Sequence, residues 1–123
     1  MRETPYWTWF IIAALVIFVF AGLHMLVMHL SIFGIFNPAG GAATDWGNVI
    51  FRSQNQFLAF TYILLLAAAL YHGLYGLRTI VFELGPSKTF QNSFTVFLWI
   101  IGLILFGIGS YSDIAAKSLE RLL

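Results

Sequence analysis

Three long apolar runs dominate the chain, at residues 6–36, 57–82 and 90–111, and Arg78 near the end of the second is the only Asp, Glu, Lys or Arg inside them. Each run is near or above the ~20 residues that a ~30 Å hydrocarbon core demands of a helix. The pattern predicts three transmembrane helices, roughly 6–36, 57–84 and 89–112, in a single all-α membrane domain covering 1–123. What remains outside is a short N-terminus, a loop over 37–56, a turn around 85–89 and a tail after Asp113.

The ends of the runs carry their own signals. Tyr6-Trp7-Thr8-Trp9-Phe10 has the composition of an interfacial aromatic belt, and Asn37-Pro38 followed by Gly40-Gly41 closes the first run. In the loop, Trp46 and Phe51 lie among polar residues, which predicts an amphipathic segment on the membrane surface. Gly85 is placed to cap the second helix, with Pro86 just beyond it and Ser87 or Thr89 available to cap the third. So short a turn makes the second and third helices antiparallel neighbours. Gly102, Gly107 and Gly109 on the third helix are small residues of the kind that let helices approach closely in lipid.

Composition sharpens the class. Apolar residues make up 60% and charged residues 9%, far from the near half and quarter of a soluble domain, so the chain is a membrane protein without room for a soluble catalytic domain. The first run is much longer than the ~7 to 15 residues of a signal-peptide core, and Arg2 is the only basic residue before it, so it is expected to stay as a helix. With no cysteine, the chain cannot hold a thiolate-ligated iron–sulfur cluster, and any such cluster belongs to a partner. The net charge of +1 excludes a polybasic nucleic-acid surface. Lys and Arg divide evenly, with Arg2, Arg78 and Lys88 on the side of the N-terminus and Arg52, Lys117 and Arg121 on the other, so the positive-inside rule does not orient the chain.

The residues that carry chemistry are histidines. An ionisable side chain at membrane depth is costly and marks a functional site by default, and imidazole is a common axial ligand of haem iron. His72 shares a helix face with Ala68 and Gly76 at i, i−4 and i+4, a small-residue recess that suits a flat macrocycle. The same small residues also suit plain helix packing, with His72 hydrogen-bonded to a neighbour. The first run offers His24 and His29, five residues and hence roughly 140° apart, so they cannot both face one haem. His24 is favoured because it follows Ala21-Gly22 and lies nearer the middle of the run; His29 is the alternative ligand or a contact to a propionate. In antiparallel helices His24 and His72 are displaced toward opposite faces by about 10 Å at 1.5 Å per residue. That offset favours two haems at different depths, each sharing this chain's single ligand with a second subunit.

Arg52 and Arg78 are candidate propionate contacts, since arginine matches carboxylates bidentately. Their plain alternatives are a solvated loop charge for Arg52 and a side chain reaching the interface for Arg78. Glu83 and Asp113 are expected to close helix ends in solvent. On that basis no carboxylate lies within a span, and the chain offers no acidic proton relay of its own.

The segments Ala21-Gly22-Leu23-His24-Met25-Leu26-Val27 and Tyr71-His72-Gly73-Leu74-Tyr75-Gly76-Leu77-Arg78 resemble the haem segments of the membrane anchors of succinate:quinone oxidoreductases and fumarate reductases. The likeness is strongest at His-x-x-x-Gly and extends through all three spans, closest to the smaller of two anchor subunits or the second half of a fused anchor. The resemblance implies a respiratory-chain complex linked to the tricarboxylic acid cycle, with a flavoprotein subunit, an iron–sulfur subunit and a second membrane anchor. It implies b-type haem, two per complex and shared with that second anchor, with quinone as the membrane substrate. His72 would ligate the haem near the iron–sulfur subunit and His24 the haem near the opposite face. It also places the chain in a bacterial or archaeal cytoplasmic membrane with its N-terminus in the cytoplasm. Single-haem ubiquinone members tend to carry an Asp-Tyr pair after the second helix where this chain has Glu83-Leu84, which implies a different quinone or a site built mostly by the partner. No catalytic residue is expected on this chain. The alternative, from another class, is a haem-free helical anchor or assembly subunit that uses its histidines for packing.

Overall fold

The computed structural model describes residues 3–30, 33–35, 37–38 and 40–119. Among them the chain is all helical, with α1 (Glu3–Leu30), α2 (Trp46–Gln54), α3 (Gln56–Glu83) and α4 (Lys88–Leu119). Helices α1, α3 and α4 are long and apolar enough to cross a membrane. Arg2, Phe36 and Arg121 lie outside the described residues.

Helix α1 begins earlier than the apolar run, because its first turn needs no apolar residues. Glu3 is favoured there by the helix dipole, Pro5 lacks only an N–H that has no helical partner at that position, and Thr8 donates to the Thr4 carbonyl at 3.0 Å. The helix also ends earlier than the expected residue 36. The described helix runs to Leu30, residues 33–35 are no longer α-helical, and Gly34 sits in a tight turn at φ +76°, a left-handed conformation that glycine adopts without a Cβ penalty. Trp7 and Trp9 are exposed, as expected of side chains facing an interface.

Asn55 caps α3, its side-chain oxygen accepting from the Phe57 and Leu58 amides at 2.9 and 3.3 Å. Gly85, at φ +70°, closes the same helix by donating to the Phe82 carbonyl at 3.1 Å. Ser87 then caps α4 by accepting from the Phe90 amide at 3.3 Å. Helix α4 does not stop at 112. No Gly or Pro follows Tyr111, the segment is rich in Ala and Ser, and Lys117 stands in the last turn where the dipole favours a cation, so the helix continues to Leu119. The end of an apolar run is not the end of a helix.

Antiparallel registers lock the bundle. Glu3, Tyr6 and Phe10 of α1 bond to Arg78, Tyr71 and His72 of α3, while His24 meets Tyr62 at the other end. Between α3 and α4, a Cβ on Gly102 would come within 2.9 Å of Leu74 Cδ1, and one on Gly109 would collide with Leu66. Those two glycines therefore permit the close helix approach, whereas Gly107 faces open space.

The loop helix α2 lies at the α4 C-terminal end of the bundle and is inverted relative to a soluble amphipathic helix. Its polar residues Asn48, Arg52 and Ser53 are buried, while Trp46 and Phe51 are exposed. An apolar outward face suits the lipid interface, and the inward polar face holds the preceding loop. Asn48 donates to the carbonyls of Gly40 and Ala42 at 2.8 and 3.0 Å, and Arg52 donates to Asn37 Oδ1 at 3.0 Å and to the Ala43 carbonyl.

Arg52 is thus a buried tie and not a solvated loop charge. Replacing it with alanine takes the donor from the buried Asn37 Oδ1, at ~1 to 3 kcal/mol, and from the half-buried Ala43 carbonyl. Arg52→Ala is expected to loosen residues 37–45, seen as faster amide exchange there with α1 and α3 protected as before. Arg52→Lys should restore the protection only in part, because an ammonium lacks the planar fork that reaches both acceptors.

Candidate functional site

Helix α3 presents His72 to α1. Its Nδ1 lies 3.1 Å from the Phe10 carbonyl oxygen, and a carbonyl only accepts, so Nδ1 carries the proton and the Nε2 lone pair stays uncommitted. The Phe10 ring stacks on the imidazole at 4.1 Å between centroids and 5° between planes. Phe10 also occupies the space that Gly76 leaves, 3.4 Å from where a Cβ would stand. Ala68, one turn earlier, is buried in the same interface. The small-residue face of α3 is real, and in this chain α1 fills much of it.

Near the other end of α1, His24 is half-buried and packs edge-on against Tyr62 at 5.2 Å. Its Nδ1 is sealed from solvent without a hydrogen-bond partner among the described residues. His29 differs in both respects. It is exposed, and its Nδ1 donates to the Met25 carbonyl of its own helix at 2.8 Å.

The two half-buried histidines stand at clearly different levels. Phe10 marks the level of His72 and Tyr62 that of His24, so the separation is about 21 Å along α1 and about 15 Å along α3 at 1.5 Å per residue. This exceeds the 10 Å expected from the runs, because α1 starts and stops earlier than its apolar run and so puts His24 farther from the helix centre. Among the described residues no group of three or more His, Cys, Asp or Glu side chains stands together, so each histidine is a single donor.

Neither arginine is idle. Arg78 pairs with Glu3 at 3.3 Å, donates from Nε to Thr95 Oγ1 at 3.0 Å and lies 4.2 Å from the Phe82 ring centroid. A haem propionate at Arg78 would have to share it with Glu3, and one at Arg52 would have to share it with Asn37 and Ala43. Arg78 also borders an apolar cavity of about 280 Å³ between α3 and α4, whose walls include Tyr71, Leu74, Tyr75, Trp99 and Leu103. The hydroxyls of Tyr71 and Tyr75 already bond to the Tyr6 carbonyl and to Glu3, at 2.8 and 3.1 Å.

Compared with family models, with curated proteins and with solved structures, the chain finds no match. What the site can do is therefore set by its own side chains.

One expectation about the acidic residues is corrected here. Asp113 does not close a helix in solvent: it stands inside α4, half-buried, with Oδ2 sealed and unpartnered among the described residues. It stands two residues beyond the apolar run 90–111. Glu83, by contrast, is exposed at the end of α3, as expected. Sequence reasoning also missed Phe10 and Tyr62, the aromatic partners of the two histidines, since nothing local to either position signals a contact with a residue so distant in sequence.

Proposed function

We propose that this chain is a membrane anchor subunit of a succinate:quinone oxidoreductase, a succinate dehydrogenase or a fumarate reductase. In this reading it ligates b-type haem and passes electrons between an iron–sulfur subunit and membrane quinone. The observation that carries the reading is the state of His72: its Nδ1 is held by a helix carbonyl, which orients the ring and leaves Nε2 to bind iron. Metal-bound histidines characteristically donate their other ring N–H to such a partner. Haem, when bound, supplies the one-electron carrier. The chain's own part is to fix the ring at His72, to offer His24 at a second level, and to leave the remaining axial positions to the second anchor subunit.

The apolar cavity beside Arg78 suits the hydrocarbon part of a quinone better than its hydrogen-bonding ring, because the tyrosine hydroxyls at its edge are already committed. The polar contacts to quinone then fall mainly to partner subunits. Substrate chemistry resides on the flavoprotein subunit.

One observation favours the competing reading of a haem-free anchor. The flat Phe10–His72 stack and the filling of the Gly76 recess by Phe10 are what a packing histidine would show. A reduced-minus-oxidised spectrum of the complex purified through this chain, with haem quantification, separates the two. A b-type α-band with stoichiometric haem is expected; a flat spectrum with the complex intact would establish the haem-free anchor.

The isolated chain is expected to hold haem poorly, since it offers one imidazole at each level and a six-coordinate site needs two ligands. Stoichiometric bis-histidine haem on the chain without its partner would overturn shared ligation and point to a homodimer.

A further inference from the structure

The end of the bundle covered by α2 contains polar atoms that the haem reading does not use. His24 Nδ1 on α1, Tyr62 Oη on α3, and Ser110 Oγ and Asp113 Oδ2 on α4 are each sealed from solvent; Tyr62 has the Arg52 guanidinium within hydrogen-bonding reach, while the other three atoms lack a hydrogen-bond partner among the described residues. They belong to one level of the fold. Leu66 lies against Gly109, so in antiparallel helices Tyr62, one turn before Leu66, lies across from Asp113, one turn after Gly109. His24 touches the Tyr62 ring. Arg52 lies within hydrogen-bonding reach of Tyr62 and close to His24, and Asp113 neighbours both Tyr62 and Lys117.

Buried polar groups in native proteins are almost always hydrogen-bonded, to protein or to ordered water. Leaving one unsatisfied costs ~1 to 3 kcal/mol, so several at one level are not left unmade. A tyrosine hydroxyl both donates and accepts, so it can bridge a carboxyl on one side and an imidazole nitrogen on the other. An ionisable side chain in a membrane helix that faces such a cluster marks a path for ions or protons.

We propose that Asp113, Ser110 and Tyr62 form a buried proton-exchange site beneath α2, completed by hydrogen bonds among themselves and to water drawn between them. Asp113 is the group that gains and loses the proton, and Tyr62 connects it to His24 Nδ1. The step balances as carboxylate plus hydronium giving carboxylic acid plus water, with no redox change. The groups facing Asp113 are Tyr62 from α3 and Lys117 from α4 itself, with Arg52 of α2 and His24 of α1 reached through Tyr62. The site needs no haem, so it stands or falls separately from the proposed function.

The chain contains two aspartates, Asp45 and Asp113, which makes the wild-type protein testable without mutation. Asp45 is exposed and accepts from the Ala42 amide at 2.8 Å, so it serves as the internal reference. With ¹³C-carboxyl aspartate in the full chain in lipid nanodiscs, a pH titration is expected to give two resolved carboxyl titrations. Asp113→Asn should remove one of them, and Tyr62→Phe should shift that same one and leave the other in place. In infrared spectra the carboxylic-acid carbonyl band of Asp113 should move on transfer to D₂O, showing that its proton exchanges with the aqueous phase. Coincident titrations of the two wild-type aspartates, a band that does not respond to D₂O, or two titrations both insensitive to Tyr62→Phe would each overturn the site.

Discussion

Replacing His72 with alanine is expected to remove one b-type haem from the complex while leaving the helices in place. No other imidazole stands at the level of Phe10, so nothing in this chain can take over the iron bond. The structural loss is small by comparison: one interhelical hydrogen bond, worth ~0.6 to 2 kcal/mol in a membrane, and one ring stack, at ~0.5 to 1.5 kcal/mol. Neither is enough to unfold three packed helices. The measurement is haem per complex together with circular dichroism of the same sample. Full haem content in a helical, assembled His72→Ala complex would return His72 to a packing role.

The second large effect separates two histidines on one helix. His24→Ala is expected to remove the haem at the level of Tyr62 and leave the His72 haem spectrally intact, since the levels lie about 15 to 21 Å apart. His29→Ala should keep both haems and at most shift one midpoint potential. The physical reason is where each ring is committed. His29 is exposed and bonds back to Met25 on its own helix, whereas His24 is half-buried against α3. About 140° of helix rotation divides them, so neither can substitute for the other without turning α1. Haem quantification and a redox titration of the two variants side by side decide the matter, and haem loss in His29→Ala with retention in His24→Ala would reverse the assignment.

The proton-exchange site bears on these outcomes because it touches only one of the two levels. His72 Nδ1 bonds to a backbone carbonyl, which does not titrate, while the His24 ring packs on Tyr62, which lies across from Asp113. A redox group at the His24 level would therefore respond to pH through Asp113, and one at the His72 level would not. The contrast comes entirely from what each ring's second nitrogen meets.

Much of this was legible in the chain itself. Apolar length and the scarcity of charge determined three membrane-length helices. Gly85, with Ser87 or Thr89 beyond it, marked the tight α3–α4 turn, and Trp46 with Phe51 among polar residues marked an amphipathic segment in the loop. These are properties of local composition and of backbone capping, which short-range physics dictates. The sequence also placed His24 and His72 at different depths, because helical rise is constant and the helices alternate in direction.

Tertiary packing decided the rest. Whether Arg52 is solvated or buried depends on Asn37 and Ala43 folding over it, and whether Arg78 is free depends on Glu3, which lies seventy-five residues away in sequence. The Gly76 recess is visible in the sequence, but only the α1–α3 register shows Phe10 inside it. Asp113 looked like a helix terminator because hydropathy falls there, yet a helix ends where its backbone bonding ends, and α4 carries the carboxyl on past that point to lie across from Tyr62 of α3. Periodicity along one helix fixes which residues share its face; what that face meets is set by the crossing of distant helices, and no local pattern encodes it.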